Sequence, residues 1–239
     1  MREAGRVNAA ALKAVREIIR PGVSTADLDA AAAEVIRAHG GKPVFKGYPG
    51  AYPYPATICA SVNDELVHGI PGKRKLKEGD IISVDCGTMI EGFIGDSAFS
   101  VGIGEVSNEA QRLLEITEQS LYLGIEKMRA GNRVGDVSYA IQKYVEEQGF
   151  FVTRVYTGHG VGRQMHEGPQ VPNYGTPGRG TNLRAGMTIA LEPMVLIGTP
   201  DTKVLADQWT VASVDGSLTA HFEHSVAVTD GDPLILTLP

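Results

Sequence analysis

The residues best suited to chemistry are acids and histidines that lie within apolar or glycine-rich stretches of the chain. They are Asp85, Asp96, His159, His166, Glu192 and Glu223. Carboxylates dominate this set, which is the ligand chemistry of harder divalent ions such as manganese or iron(II). Four carboxylates would over-neutralise one ion, whereas two ions about 3.5–4 Å apart could share bridging carboxylates and acidify a bridging water. The set therefore predicts a dinuclear metal centre that provides hydroxide near neutral pH.

Two predicted strands position the first pair of acids. The apolar run 82–84 leads to Asp85, a turn is predicted around 89–92, and Asp96 follows 11 residues after Asp85. Alternation on both sides indicates paired strands with the two carboxylates side by side, and strand parity points Cys86 away from them as a small buried residue. Carboxylates inside a sheet are costly unless a cation or hydrogen bonds compensate them. The rest of the chain is expected to supply the other ligands.

Two pairs of helices are predicted, and the second pair repeats the first at a constant spacing. The markers lie 109 residues apart: Gly22, Asp27 and Gly40 recur as Gly131, Asp136 and Gly149. The glycines are typical helix ends, and Ser24 followed by Asp27 resembles a capping box. This recurrence alone is weak evidence for a duplication, because long helices recur by chance.

The recurrence of acids at equivalent places is stronger evidence. Asp85 lies six residues after a glycine of the first half, and Glu192 lies six residues after the matching glycine of the second half. Asp96 corresponds in the same way to Glu223. We therefore expect two related halves that each push two carboxylates into one shared site. Helices packed on a mainly antiparallel sheet would make the fold α+β.

Length and composition narrow the class of protein. A chain of 239 residues with 43% hydrophobic and 21% charged residues is typical of a globular protein. A net charge of -6 without a basic block argues against a nucleic-acid partner, and no run is long enough to predict a membrane partner. Two cysteines outside any CxxC pattern favour a cytoplasmic location. Since no linker is evident, we expect one catalytic domain, 1–239, with pseudo-symmetric halves of about 1–104 and 105–239.

These residues lie in motifs that resemble the type I methionine aminopeptidase family, whose members have the "pita-bread" metallopeptidase fold. The motifs are VNDELVHGIP at 62–71, SVDCG at 83–87, GHGVG at 158–162, HEGPQ at 166–170, LEPM at 191–194 and FEH at 222–224. The spacing of 31 residues between Glu192 and Glu223 is too short for the type II insertion, and the chain resembles the minimal bacterial form. The resemblance implies pseudo-twofold α/β halves with a central curved, mainly antiparallel sheet covered by helices.

The resemblance also implies roles for individual residues. The implied metal ligands are Asp85, Asp96, His159, Glu192 and Glu223, with Asp96 and Glu223 bridging two divalent ions (manganese, iron(II), cobalt or zinc). The implied catalytic residues are His68 near the substrate amino terminus, His166 at the scissile peptide group, and Glu192 as a proton carrier. The other histidines are predicted to be helix-end or flanking residues: His39, His221 and His224.

The implied substrate pocket is apolar and holds a straight thioether side chain. It would be lined by Cys59, Tyr54 and Trp209, together with His68 and His166. Met165 is also expected to line the pocket, although this position is often aromatic in the family. A second aromatic wall could be either Tyr48 or Tyr52, and the sequence leaves this choice open.

The implied reaction removes the amino-terminal methionine from nascent proteins and peptides whose second residue is small, by attack of a bridging metal hydroxide on the first peptide bond. The implied partners are nascent polypeptide amino termini, and the implied state is a monomer; ribosome binding is left open. Two alternatives share the fold: an Xaa-Pro aminopeptidase or prolidase-type peptidase, and a non-catalytic binding protein. The former usually carries an extra N-terminal domain, and the latter would be expected to have lost metal ligands, none of which is missing here.

Overall fold

Both predicted helix pairs are present in the computed structural model, which describes residues 1–239. The helices are α1 (Arg2–Ile18), α2 (Thr25–Ala38), α3 (Asn108–Glu126) and α4 (Val134–Glu147). The strands are β1 (Lys42–Pro43), β2 (Ile58–Val62), β3 (Glu65–Val67), β4 (Ile81–Ile90), β5 (Phe93–Gly102), β6 (Phe151–Val152), β7 (Thr157–Gly160), β8 (Glu167–Pro172), β9 (Thr188–Leu191), β10 (Met194–Leu196), β11 (Thr202–Val204), β12 (Val211–Ser213), β13 (Thr219–His221), β14 (Glu223–Ala227) and β15 (Leu234–Ile235). No helix combines the length and apolarity that crossing a membrane requires.

The helix ends follow the same local rules in both halves. At α2, the Asp27 carboxylate accepts a hydrogen bond from the backbone N–H of Ser24 at 2.9 Å, which completes the predicted capping box. At α4, the Asp136 carboxylate accepts the backbone N–H of Arg133 at 2.7 Å. The four marker glycines all have positive φ, at 91°, 68°, 95° and 85° for Gly22, Gly40, Gly131 and Gly149. The helical repeat predicted from spacing is therefore confirmed in backbone conformation.

One nine-stranded sheet contains strands of both halves. Its order is β1-β4-β5-β14-β9-β7-β8, with β2 paired to β4 and β15 paired to β14. Every pairing in this sheet is antiparallel. The predicted β4–β5 pair is a continuous hairpin from Ile81↔Gly102 to Ile90↔Phe93. The halves meet where β5 pairs with β14, through Glu223↔Ala98 and His224↔Ser97.

The helices bury one face of this sheet. In the first half, Val84 and Cys86 of β4 belong to a core cluster with residues of α1 and α2, and Cys86 is fully buried as predicted. In the second half, Ile189 and Leu191 of β9 belong to a cluster with residues of α3 and α4. Since side chains alternate along a strand, Asp85 must point to the opposite face. The predicted α+β layering is confirmed.

Helix α1 packs closely behind the β4–β5 hairpin. The Asn8 amide donates to the Ser97 hydroxyl at 2.7 Å and accepts from the Thr88 hydroxyl at 2.8 Å. A methyl group on Gly95 would lie 2.7 Å from the Cα of Gly5, so this crossing requires glycine. These contacts fix the backbone on either side of Asp96.

Candidate metal centre and active-site cavity

Strand register brings four of the predicted site residues to one face of the sheet. Asp85 pairs with Ala98, two residues from Asp96, so both acids share a face and lie on a diagonal. Glu223 also pairs with Ala98 and joins them there. His159 pairs with Ala190, which pairs in turn with Ser225, two residues beyond Glu223. Asp85 and Asp96 of the first half thus lie on the same face of the sheet as Glu223 of the second half.

The side chains converge to ligand-like distances. His159 Nε2 lies 3.4 Å from Glu192 Oε1 and 3.9 Å from Asp96 Oδ2. Asp96, His159 and Glu223 each offer one ligand atom, and these three atoms lie within 4.8 Å of one another. Asp96 and Glu223 are both only 2% exposed, and Glu192 follows directly after β9 with its side chain 13% exposed. The geometry is that of donors arranged around a small volume.

Backbone contacts fix the orientation of two of these residues. The Nδ1 of His159 lies 2.9 Å from the carbonyl oxygen of Gly160, which can only accept, so Nδ1 carries the proton. The lone pair of Nε2 is therefore free to face the acids. The Asn173 amide donates to the backbone carbonyl of Glu192 at 3.0 Å and holds the end of β9.

The charges of this cluster are poorly compensated by the protein itself. Burial, with the nearby charge of Asp96, raises the pKa of Asp85, Glu192 and Glu223 well above the ordinary carboxyl range. Burial also raises the pKa of Asp96 to about 7. Three buried oxygens have no hydrogen-bond partner: Asp85 Oδ1, Asp96 Oδ1 and Glu223 Oε1. Such groups are costly unless a cation satisfies them, so these residues fit a divalent metal ion.

His221 belongs to the surroundings of this cluster, which the sequence analysis did not foresee. Its Nε2 is buried without a hydrogen-bond partner, 3.8 Å from Glu192 Oε2 and 3.7 Å from Glu223 Oε2. Burial lowers its pKa to about 3, so the ring is neutral. The other two histidines match their predicted places: His39 caps α2, and His224 bonds the Thr237 hydroxyl through Nδ1 at 2.9 Å.

A cavity of about 130 Å³ opens beside the cluster, and its far wall is apolar. Its lining includes all the site residues predicted from the sequence. The apolar wall consists of Phe45, Tyr48, Tyr54, Cys59, Met165 and Trp209. The Tyr54 hydroxyl donates to the backbone carbonyls of Gly69 at 2.9 Å and Ile58 at 3.1 Å, so Tyr54 presents only its ring to the cavity. Phe45 was missed by sequence reasoning, which offered no signal to separate it from an ordinary core residue.

The choice between the two loop tyrosines is resolved by the fold. Tyr48 lines the cavity, whereas Tyr52 does not. Tyr52 is 41% exposed, packs edge-on against Trp209 at 6.2 Å between ring centroids, and donates its hydroxyl to the Asp207 carbonyl. Tyr48 is therefore the second aromatic wall that the sequence left open.

Two more histidines, His68 and His166, line the cavity. His68 has a positive φ of 60° and packs edge-on against the ring of Tyr156. Burial lowers the pKa of His68 to about 4, so it is neutral near pH 7. His166 lies with its ring centroid 4.3 Å from that of His159. The site thus combines a carboxylate cluster suited to a metal, two imidazoles and an apolar recess. These groups together could hydrolyse a bond next to an apolar side chain.

Comparisons with known proteins agree with this description. Residues 1–230 match the model of metallopeptidase family M24. The chain is 51% identical over 239 residues to a methionine aminopeptidase from Clostridium acetobutylicum, and the alignment covers 100% of this chain and 94% of the relative. It is 47% identical to the methionine aminopeptidase of Thermotoga maritima, whose crystal structure superimposes with a TM-score of 0.97 and coverage of 100% and 95%.

A more distant structural neighbour shares the fold alone. A prolidase from Pyrococcus furiosus superimposes with a TM-score of 0.80 at 19% identity, and the likeness covers 100% of this chain but 62% of the prolidase. The expected pita-bread architecture is confirmed by these superpositions. Because the family model and the similar relatives span nearly the whole sequence, this chain belongs to metallopeptidase family M24.

Proposed function

We infer that this chain removes the amino-terminal methionine from polypeptides, the activity named for its relatives in Clostridium acetobutylicum and Thermotoga maritima. The observation that carries the inference is a single cavity with a carboxylate cluster on one side and an apolar recess on the other. A metallopeptidase needs the first, and recognition of a methionine side chain needs the second. The identity of 51% over the whole chain supports the same conclusion.

We assign the metal-binding role to the five converging residues Asp85, Asp96, His159, Glu192 and Glu223. The enzyme depends on divalent metal, and we propose two ions chosen from manganese, iron(II), cobalt and zinc. Asp96 and Glu223 would take part in holding both ions, as the family resemblance implies, and together with His159 they offer ligand atoms within 4.8 Å of one another. When bound, the ions supply Lewis acidity toward the peptide carbonyl and toward water.

The apolar recess would hold the methionine side chain. An unbranched thioether can lie along the ring of Tyr54, the thiol of Cys59 and the indole of Trp209, none of which offers a charge. Tyr54 and Trp209 meet edge-on with centroids 5.1 Å apart, which closes the end of the recess. Met165 completes this surface with a flexible side chain in place of an aromatic ring.

The residues at the mouth would handle the peptide bond. His166 would donate a hydrogen bond to the carbonyl oxygen as charge develops on it in the transition state. His68 would position the free amino terminus, since its neutral ring can accept a hydrogen bond from an amine. Glu192, whose side chain reaches the cavity, would carry a proton from the attacking water to the leaving amine.

We propose that residues 1–239 act as one catalytic domain with halves of about 1–104 and 105–239, a division supported by the sheet that contains strands of both. Nascent polypeptide amino termini would be the partner of a monomeric enzyme. A cytoplasmic location is supported by two buried cysteines that form no disulfide. We propose that accepted substrates have a small second residue, because the rings of Tyr48 and His166 meet at the mouth.

Peptide hydrolysis tests this function directly. Metal-loaded protein is incubated with a Met-Ala-Ser peptide, a Met-Lys-Ser peptide and an Ala-Pro-Ser peptide, and free amino acids are quantified. We expect methionine from the first peptide, at least about 10-fold less from the second, and no product from the third. A Glu192→Gln variant serves as the control and should be inactive with all three. Preferential cleavage of the Xaa-Pro peptide would favour a prolidase-type activity, and no cleavage with metal bound would favour a binding protein.

A further inference from the structure

The side chain that orients His166 is a hydroxyl outside the acid cluster. The Tyr48 hydroxyl oxygen lies 2.7 Å from His166 Nδ1, and the two rings meet edge-on with centroids 5.3 Å apart. The two residues are 118 positions apart in the sequence. Tyr48 belongs to the irregular segment between β1 and β2, whereas His166 precedes β8.

We propose that Tyr48 is a positioning residue that holds His166 in the tautomer with its proton on Nε2 and aims that N–H at the substrate. The proposal rests on the proposed function, because it deepens the role given there to His166. It gives the Tyr48 hydroxyl a role through His166, in addition to the place of the Tyr48 ring in the cavity wall.

The direction of this hydrogen bond decides the tautomer of His166. A phenol hydroxyl has one proton to donate, and the Tyr48 hydroxyl makes no other hydrogen bond to the protein. If the hydroxyl donates to Nδ1, that nitrogen is the acceptor and Nε2 carries the ring proton. Nε2 then provides the donor that a carbonyl oxygen requires. The opposite tautomer would leave a bare lone pair facing the carbonyl.

His166 needs such a support because burial does not hold it. The residue is exposed, at the mouth of the cavity, and the ring has His159 on one side at 4.3 Å between centroids. His159 donates through Nδ1 to the Gly160 carbonyl and directs Nε2 toward Asp96 and Glu192, so neither nitrogen bonds His166. The Tyr48 hydroxyl is the protein hydrogen bond that remains to fix the rotation and tautomer of His166.

The segment that carries Tyr48 is anchored on both sides. Backbone hydrogen bonds run from the Gly47 N–H to the Tyr54 carbonyl at 2.8 Å and from the Tyr54 N–H to the Tyr48 carbonyl at 2.9 Å. Tyr52 lies farther along the same segment, and its hydroxyl donates to the Asp207 carbonyl. A rigid segment can position a partner ring, and Tyr52 provides a matched control because its hydroxyl bonds a backbone carbonyl away from the cavity.

Tyr48→Phe and Tyr52→Phe test the proposal, because each removes one hydroxyl and keeps the ring. For Tyr48→Phe we expect kcat to fall about 10-fold on a Met-Ala-Ser peptide while KM changes less than about 2-fold, as for loss of a supporting hydrogen bond. Tyr52→Phe should leave both parameters unchanged. In a His166→Ala background, Tyr48→Phe should cause no further loss. An equal loss in that background would overturn the proposal, because Tyr48 would then act by another route.

A second readout does not depend on the reaction. Nitrogen-15 NMR of protein loaded with diamagnetic zinc reports the tautomer of His166, assigned by comparison with His166→Ala. We expect the Nε2–H form in wild type and a mixture of tautomers in Tyr48→Phe. The Nδ1–H form in wild type, or an unchanged tautomer in Tyr48→Phe, would overturn the proposal. Absence of methionine release by wild type would instead refute the proposed function, while the tautomer measurement would still decide the role of Tyr48.

Discussion

The two halves of the molecule build equivalent corners of one site with different connections. In the first half, Asp85 and Asp96 lie on strands β4 and β5, which are joined by a two-residue turn. In the second half, Glu192 directly follows β9 and Glu223 begins β14; these strands pair with each other but are separated by residues 192–222. The repeated strands thus carry the acids, whereas the connection has diverged.

The diverged connection contributes to the apolar side of the cavity. Residues 193–222 form β10 to β13, which pair with β3 and β6 in two small sheets and carry Trp209 to the recess. In the first half, the segment before β2 contributes Tyr48 and Tyr54 instead. The four acids therefore belong to the repeated strands of the two halves, whereas much of the apolar wall comes from segments that the halves do not share.

The largest effect is expected from the central acids of the two halves. Asp96→Asn and Glu223→Gln should each lower kcat/KM by more than about 100-fold, since loss of a supporting residue alone costs 10–100-fold. Both should also reduce the metal bound per chain, measured by elemental analysis. Normal activity in one variant but not in the other would show that the acids of the two halves are not equivalent.

Removal of the metal should lower the thermal stability of the protein, because the four buried carboxylates of the cluster would lose the cation that compensates them. Chelator-treated protein is expected to melt several degrees lower than metal-loaded protein, because an ion bound only by the native state at 100 times its Kd adds about 2.7 kcal/mol. The double variant Asp96→Asn/Glu223→Gln is the control, and its melting temperature should not respond to metal. Calorimetry that finds equal melting temperatures with and without metal in wild type would contradict the assignment of the cluster.

Trp209→Ala separates the pocket from the metal centre. Truncation of this wall should lower kcat/KM on a Met-Ala-Ser peptide by about 10-fold or more, with most of the change in KM, because apolar contacts to the substrate are lost. Metal content should stay at the wild-type level, and Trp209→Phe should retain more activity than Trp209→Ala. Loss of bound metal in Trp209→Ala would show that the diverged connection also supports the acids.

The smallest effect concerns the capping carboxylates shared by both halves. Hydrogen bonds from Ser24 lower the pKa of Asp27, and the Arg133 backbone N–H lowers the pKa of Asp136. Acids with a lowered pKa stabilise the fold above their ordinary value of 3.8, and this stabilisation disappears as the pH falls through the lowered pKa. Asp27→Asn and Asp136→Asn should therefore each lower the melting temperature by about 1–3 °C near neutral pH. A difference from wild type that persists in strong acid would point to another cause.

Local and periodic features of the sequence were enough to predict the helix pairs and the strands that carry the acids. Strand parity placed Asp85 and Cys86 on opposite faces, and the spacing of matching glycines related Asp85 to Glu192. Both depend on short-range geometry that an alternating strand or a helix end imposes on its own residues. The same reasoning identified the capping box that begins with Ser24.

The remaining features depend on long-range contacts that periodicity does not report. The contact of Tyr48 with His166 crosses 118 residues, and a choice between Tyr48 and Tyr52 required the path of an irregular segment. His221 lies two residues before Glu223, and its approach to Glu192 involves residues 29 positions apart in the sequence. Phe45 is an ordinary apolar residue until the fold brings it to the cavity.

Anomalous X-ray diffraction at the manganese edge, from crystals grown with Mn²⁺, tests most directly that the two halves share one dinuclear centre. We expect two anomalous peaks about 3.5–4 Å apart, both within coordination distance of Asp96 and Glu223. One peak should also contact Asp85, and the other should contact His159 and Glu192. No peak at these residues, or ions bound by the acids of one half alone, would contradict this expectation.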